Sequence, residues 1–439
     1  MRDTQFVESH NKPIRILATA DLHLGRPAAR IPSLDFARQS SEMRWNSIVQ
    51  RAIREKVDAV ALAGDVIEHS NRFFEAVGLF EHGLKQLAEH EIPVYAVAGN
   101  HDWDVLPRAV DAVGAKRLHL LGHGGRWESA ELSRGGKVVL RFTGWSFPTS
   151  HCSINPLVGQ PWAPHDGVPT IGILHCDLDQ TASRYAPVTR AELMNCPVSV
   201  WLLGHVHLPQ YIHAAAGPSL LYPGSPQALD PGETGQHGPW IIEISGTSQV
   251  TARQLFLSAV RYERVDIDVT GLESLEDVES YAYQTVRDAV QQWENESELL
   301  QWLIVRLRFH GRTALGREVE KLSHQLHGEE VRVPYADLRV RIDIVSNDVS
   351  ANIDLESWKQ RKDALGTLAN LILQLESGVA SPEVSALIDN AHERMESVFS
   401  GSTFGLLADE VPSRDSTKGR LLKQARQLME LLRVSEIRS

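Results

Sequence analysis

Seven short apolar runs restrict the fold more than any other feature of the chain. They are IRILATA (14–20), VDAVALAG (57–64), IPVYAVAG (92–99), VVLRFTGW (138–145), PTIGILH (169–175), VSVWLLG (198–204) and WIIEI (240–244). Most are too short for helices and are rich in Val and Ile, as strands buried on both faces would be. Between the early runs lie helix-like stretches, 40–56 and 73–90. This alternation predicts an α/β region with two sheet layers, a β-sandwich flanked by helices.

What ends each run is more specific. Asp21-Leu22-His23 follows the first, Gly64-Asp65 closes the second, and Gly99-Asn100-His101-Asp102 closes the third. The fifth ends in His175, and the sixth in His205-Val206-His207. With 19 histidines in the chain, chance alone supplies about one His-x-His triplet, so His205 and His207 mean little by themselves. Five strands delivering ligand-type residues past their carboxyl ends mean more, because that edge is where open α/β sheets bind ligands. The glycines at 64, 99 and 204 precede these residues, where tight turns and close backbone approach are useful.

Asp21, His23, Asp65, Asn100, His175, His205 and His207 form a mixed oxygen and imidazole donor set without thiolate. It suits Mn²⁺, Fe or Zn²⁺ better than Ca²⁺. Seven donors exceed one tetrahedral ion and suit two ions roughly 3.5–4 Å apart sharing a carboxylate. Such a pair can lower the pKa of a bridging water and bind both oxygens of a phosphate, which makes in-line hydrolysis feasible. His101 is the candidate acid for the leaving oxygen, with Asp102 expected to hold its imidazole.

In this order ADLHLG, AGD, AGNHD, His175 and GHVH resemble the calcineurin-like metallophosphoesterases. ATADLHLG and the later YPGSPQALDPGE (222–233) resemble, within them, the SbcD-type DNA repair exonucleases and their YhaO-like bacterial branch. The resemblance implies that Asp21, His23, Asp65 and His207 hold one ion. It implies that Asp65, Asn100, His175 and His205 hold the other, and that His101 stabilises the transition state or acts as acid. It further implies Mn²⁺-dependent exonuclease or endonuclease action on DNA, an SMC-like coiled-coil ATPase partner, and the homodimerisation common in that family. In related nucleases a histidine follows the Gly-Asp block. Here GDVIEHSNR places Glu68 at that offset and His69 one step later, leaving the role of both open. Two other readings of the chain stand beside the nuclease: a phosphodiesterase for cyclic nucleotides or other small diesters, and a subunit that tethers DNA and regulates an ATPase.

The rest of the chain divides into a phosphoesterase region (13–257), a small α+β cap (258–350) and a helical C-terminal region (351–439). In the cap, strand-like 262–269, 301–309 and 338–345 alternate with helical 274–294 and 314–326. Arg306, Arg308, Arg312, Arg339 and Arg341 there suit either DNA phosphates or a solvated strand face. Near the end, Leu365, Leu368, Ile372 and Leu375 recur at near-heptad spacing. Past the breaker-rich 411–419, the basic segment 420–433 sets Leu421, Leu422, Ala425, Leu428, Met429 and Leu432 on one helical face, a candidate for partner docking.

The formal net charge of −12 excludes a generic basic nucleic-acid coat, so any DNA reading rests on a site. No apolar stretch approaches the 18 or so residues of a membrane span, and the polar start lacks a signal-peptide core. Three scattered cysteines exclude a disulfide framework. A reducing cytoplasm is the expected location.

Overall fold

A computed structural model describes residues 12–31, 34–68, 75–113, 118–160, 162, 167–180, 182–214, 217–246, 249–293, 299–334, 338–351, 355–399 and 413–438. In the first part the strands are β1 (Ile14–Thr19), β2 (Ala59–Ala63), β3 (Val94–Val97), β4 (Leu118–Leu120), β5 (Trp127–Arg134) and β6 (Lys137–Trp145). They continue as β7 (Thr170–His175), β8 (Val200–Gly204), β9 (Gln210–Ile212), β10 (Ser219–Tyr222), β11 (Trp240–Ser245) and β12 (Gln249–Gln254). Each of the seven predicted runs is a strand. The helices here are α1 (Leu34–Glu55), α2 (Glu75–Glu89), α3 (Leu106–Val113) and α4 (Arg190–Met194).

These strands form two six-stranded sheets, ordered β12-β11-β1-β2-β3-β4 and β5-β6-β7-β8-β10-β9. The strands carrying the ligand-type residues run parallel: β1 with β2, β2 with β3, and β7 with β8. Their carboxyl ends therefore gather on one edge of each sheet. Side-chain alternation explains the unbroken apolar runs. Ile16, Ala18, Ala59, Ala61 and Val97 face a core shared with Phe142, Ile171, Ile173, Val200 and Leu202 of the second sheet. Leu17, Val60, Leu62, Val94 and Ala96 face the helices instead.

α1 meets that helix-side core with Trp45, Ile48, Val49 and Ala52, one stripe at helical spacing. α2 contributes Phe80, Leu84 and Leu87. Phe80 is fully buried, which stabilises the fold by about 1.5–3 kcal/mol. The outer face of the second sheet is covered by loops and α4, with Trp201, Leu203, Leu220 and Tyr222 packed on Leu193 and Val188. α4 starts in a capping box: Thr189 Oγ1 accepts from the Glu192 N–H, and the Glu192 carboxylate accepts from the Thr189 N–H.

The chain divides into two compact units. One comprises Met1–Arg264, Arg287–Arg306 and Gly328–Asp343, the other Val265–Val286, Leu307–His327 and Ile344–Ser439. The elements after β12 are β13 (Val260–Asp268), α5 (Leu275–Trp293), β14 (Trp302–Thr313), α6 (Gly316–Leu326), β15 (Glu330–Val331) and β16 (Arg339–Ala351). Their strands form a sheet of order β13-β14-β16-β15. Helices α7 (Leu355–Trp358), α8 (Ala364–Ser377), α9 (Pro382–Phe399) and α10 (Arg414–Arg438) follow.

In the second unit, α8 is capped by Asp363, whose carboxylate accepts from the Gly366 N–H at 2.9 Å, and ends at Gly378 in the left-handed region. Its Leu365, Ala369 and Ile372 pack with Ala425 and Met429 of α10. Two expectations need correction here. Helix α10 begins at Arg414, inside the stretch read as a breaker, while 411–412 lie outside the described residues. Leu428 is 47% exposed rather than part of the buried stripe, because the seam follows Leu422, Ala425, Met429 and Leu432. Of the cap arginines, Arg308 pairs with Asp266, Arg312 with Glu376, and Arg339 lies over the Trp302 ring. Among the described residues no helix is long and apolar enough to cross a membrane.

Candidate metal centre

The loops after β1 and β2 stay in register beyond the strands. The N–H groups of Asp21, His23 and Leu24 donate to the carbonyls of Gly64, Asp65 and Val66. This places Asp21 and His23 beside Asp65. Across the sheets, the His205 N–H after β8 donates to Asp21 Oδ1 at 3.0 Å; within the first sheet, the His101 N–H after β3 donates to Asp65 Oδ1 at 2.8 Å. The backbone is strained here. Asp21 (φ 50°), His23 (φ 43°), Asp65 (φ 49°) and His205 (φ 94°) all sit at positive φ, where each non-glycine residue costs on the order of 1–2 kcal/mol.

Close approach explains two of the glycines. A Cβ on Gly99 would lie 2.2 Å from Asp65 Oδ1, and one on Gly204 would lie 1.9 Å from Ala63 O. All seven sequence-predicted donors thus converge at the carboxyl edge. Asp21, His23 and His207 form one group of mutually close donor atoms, and Asp21, Asp65 and His175 another. Asp65 is central, its Oδ2 3.4 Å from His175 Nε2 and 3.8 Å from His23 Nε2. Asn100 Oδ1 lies 3.0 Å from His175 Nε2.

Second partners set the histidine tautomers. His175 Nδ1 donates to Ala63 O at 2.9 Å, since a carbonyl can only accept. His23 Nδ1 meets Glu68 Oε2 at 3.0 Å, and His207 Nδ1 meets Glu233 Oε1 at 2.7 Å. His205 differs: its Nε2 faces Asp177 Oδ1 at 3.3 Å, which leaves Nδ1 as the donor atom. Two repulsive contacts follow when the rings are neutral. His23 Nε2 and His207 Nε2 face each other at 3.1 Å with their lone pairs. His175 Nε2 faces only the oxygens of Asn100 and Asp65. Both contacts become favourable when a cation sits among the atoms, so the donor set fits two divalent ions.

The charges agree. Burial raises the Asp21 carboxyl above its usual range, against the pull of His175 and His207. Burial also works on Asp65, but the neighbouring His175, His23 and His101 outweigh it and hold it well below the usual range. Burial lowers His175, yet the Asp65 carboxylate overrides this and lifts it to about 9. His205 is pushed down to about 3 by burial and by His175. Glu233 is desolvated, but its bond with His207 brings it to about 2.

His101 is the most open of the catalytic-type side chains, 32% exposed. Its ring stands edge-on to His23 with centroids 4.8 Å apart. The expectation for Asp102 is corrected. Its Oδ1 accepts from Gly99 N at 2.8 Å, and its Oδ2 accepts from Val66 N at 2.7 Å and Ile67 N at 3.3 Å. Asp102 thereby ties the loops after β2 and β3 together and does not hold the imidazole. Burial, with the Asp65 charge, raises it to about 7 against those N–H donors. Glu68 occupies the imidazole instead, its Oε1 3.0 Å from His101 Nδ1. His69 lies outside the described residues.

Sequence reading missed Glu233 and Asp177 as partners of His207 and His205. The only sign of Glu233 was its place at the end of YPGSPQALDPGE. It also missed Arg44, a buried guanidinium of α1 that donates to the carbonyls of Leu22 and Arg26 on either side of His23. His237 is buried, its Nδ1 2.8 Å from Ser225 O.

Residues 14–209 match the calcineurin-like phosphoesterase family, and residues 262–348 match the middle domain of the metallophosphoesterase YhaO. The metallophosphoesterase YhaO of Bacillus subtilis is 26% identical over 274 residues, 60% of this chain and 65% of its own length. The chain thus spans just under two thirds of that relative. The DNA double-strand break repair protein Mre11 of Methanopyrus kandleri is 23% identical over 361 residues, 78% of this chain and 75% of its own. The SbcD component of the Bacillus subtilis nuclease SbcCD is 33% identical over 117 residues, 25% of this chain and 28% of its own.

Proposed function

We propose that this chain, a calcineurin-like metallophosphoesterase with a YhaO-like middle domain, hydrolyses phosphodiester bonds of DNA. The observation that carries the reading is the two close donor groups, Asp21 with His23 and His207 and Asp21 with Asp65 and His175, with Asn100 beside His175 and His101 open beside them. Asp21, His23, Asp65 and His207 are assigned to one divalent ion. Asp65, Asn100, His175 and His205 are assigned to the other, with Asp65 shared. When bound, such a pair supplies Lewis acidity toward the phosphoryl group and lowers the pKa of a water.

The protein's own groups do the rest. His101 holds a proton at Nε2 and delivers it to the leaving oxygen, a role worth typically about 10²–10⁴-fold. The Glu68 hydrogen bond and the Asp65 charge favour that protonated form, overcoming the burial that opposes it. Asp102 fixes the distance between the loops that carry Asp65 and His101. The DNA substrate is supported by the relatives named for break repair and nuclease activity. An SMC-like ATPase partner is proposed on the resemblance of the sequence motifs to the SbcD-type exonucleases. Mn²⁺ is the proposed metal on the donor chemistry.

End-labelled linear duplex DNA, incubated with Mn²⁺, Mg²⁺ or chelator, tests the reading with wild type and His101→Ala in parallel. Mn²⁺-dependent cleavage that disappears in the variant while metal content persists is the expected result. Metal-loaded wild type that cleaves bis-p-nitrophenyl phosphate but no DNA, with or without an ATPase partner, would replace DNA by small phosphodiesters as the substrate.

A further inference from the structure

Among the described residues of the site, Glu68 is the carboxylate whose two oxygens serve two different histidines. Oε2 lies 3.0 Å from His23 Nδ1, and Oε1 lies 3.0 Å from His101 Nδ1. It is buried, 8% exposed. It is held at the end of the β2 loop by its own backbone, whose N–H donates to Leu24 O. The loop that carries it is braced by the parallel bridge between Leu24 and Ile67. One of its histidines is assigned to the metals and the other to the leaving group. The two rings are edge-on neighbours and do not bond each other.

We infer that Glu68 is a shared positioning residue, which accepts the Nδ1–H of both rings and so directs His23 Nε2 toward the metal and His101 Nε2 toward the leaving oxygen. The inference rests on the dimetal phosphodiesterase reading, though not on DNA as substrate. The chemistry of the position is demanding. An ionised carboxylate accepts at both oxygens.

An amide of the same shape separates this role from simple packing. Glu68→Gln offers one acceptor and one N–H₂ donor, so at most one of the two rings keeps its Nδ1–H donated to this side chain, and the other must change tautomer or lose the contact. Loss of a partner behind a metal-binding histidine typically costs about 10–100-fold in metal affinity or activity.

The test uses full-length protein, with folding checked by thermal unfolding. It reads Mn²⁺ affinity by equilibrium dialysis and turnover of two diesters at saturating Mn²⁺: bis-p-nitrophenyl phosphate, whose leaving group needs little protonation, and diphenyl phosphate, whose leaving group needs more. For Glu68→Gln, Mn²⁺ affinity should fall about 10-fold or more, and diphenyl phosphate turnover should fall at least about ten times further than bis-p-nitrophenyl phosphate turnover. Glu68→Asp, which keeps both acceptors, should recover part of both losses. Equal losses on the two diesters, or unchanged Mn²⁺ affinity, would overturn the shared role. Failure of the DNA reading would show instead as wild-type turnover of the diesters without DNA cleavage.

Discussion

Replacing Gly99 by alanine adds one methyl at the most crowded point of the site. The new Cβ would lie 2.2 Å from Asp65 Oδ1, 2.6 Å from Asp65 N and 2.8 Å from Asp65 Cγ, where ordinary contact begins near 3.4 Å. Rotation of the Asp65 side chain cannot relieve this, because the Asp65 backbone nitrogen is among the atoms struck. Either the loop after β3 or the turn after β2 must move by about 1 Å, beyond the roughly 0.5 Å that a working constellation tolerates. Asp65 Oδ1 also accepts the His101 N–H, so the displacement reaches the candidate acid. Overpacking of this kind costs about 1–3 kcal/mol, which a chain of this size survives. A displacement of about 1 Å near reacting groups costs on the order of 10²-fold in rate. The expected variant is therefore folded, short of bound Mn²⁺, and about 100-fold slower on bis-p-nitrophenyl phosphate. Gly78→Ala, on the exposed face of α2 near its start with nothing within 4 Å of the added Cβ, is the control and should gain up to about 1 kcal/mol. Wild-type metal content and turnover in Gly99→Ala would refute the reasoning.

Three further outcomes follow from the same geometry. In metal-free protein, His175 is raised to about 9, so its stabilisation is complete below its unfolded value near 6.5 and is lost as pH rises through 9. Urea unfolding after chelation should show a loss of up to about 3 kcal/mol between pH 6.5 and 9, and a flat profile would count against a charged, buried His175. Arg44→Met should cost about 1–3 kcal/mol by leaving the Leu22 carbonyl without its donor, seen as a lower unfolding midpoint; an unchanged midpoint would remove that role. Glu233→Gln should weaken Mn²⁺ binding about 10–100-fold by loosening His207, read by equilibrium dialysis, and undiminished affinity would show that His207 needs no such support.

The candidate donors stand out in the sequence because each ends or closely follows an apolar run, and strand ends are a local signal. The parallel pairing that brings them together follows from the same runs, whose residues are buried on both faces. The edge strands β5 and β12 were not legible, since half their residues are polar and exposed, and β9 is only three residues long. Nor were the groups behind the donors. Glu233 reaches His207 across 26 positions and Arg44 reaches Leu22 across 22, distances over which no periodicity operates. Asp102 shows the opposite error: adjacency to His101 suggested a partnership, whereas the turn sends its carboxylate back to three backbone N–H groups. In α10 the basic, leucine-rich pattern was correct as a helix, but a choice between two neighbouring stripes depends on α8, which the segment itself does not encode.

The bond from His205 N–H to Asp21 spans 184 residues, and no two of the five donor-bearing loops are supplied by a single hairpin. A nascent or partly folded chain therefore presents histidines and carboxylates but no chelate. Both sheets must have paired before any ion finds its ligands, and closures of that length are among the slow events of folding. Metal capture is then a late event that reports completion. Mn²⁺ added during refolding should leave the folding rate unchanged while slowing unfolding.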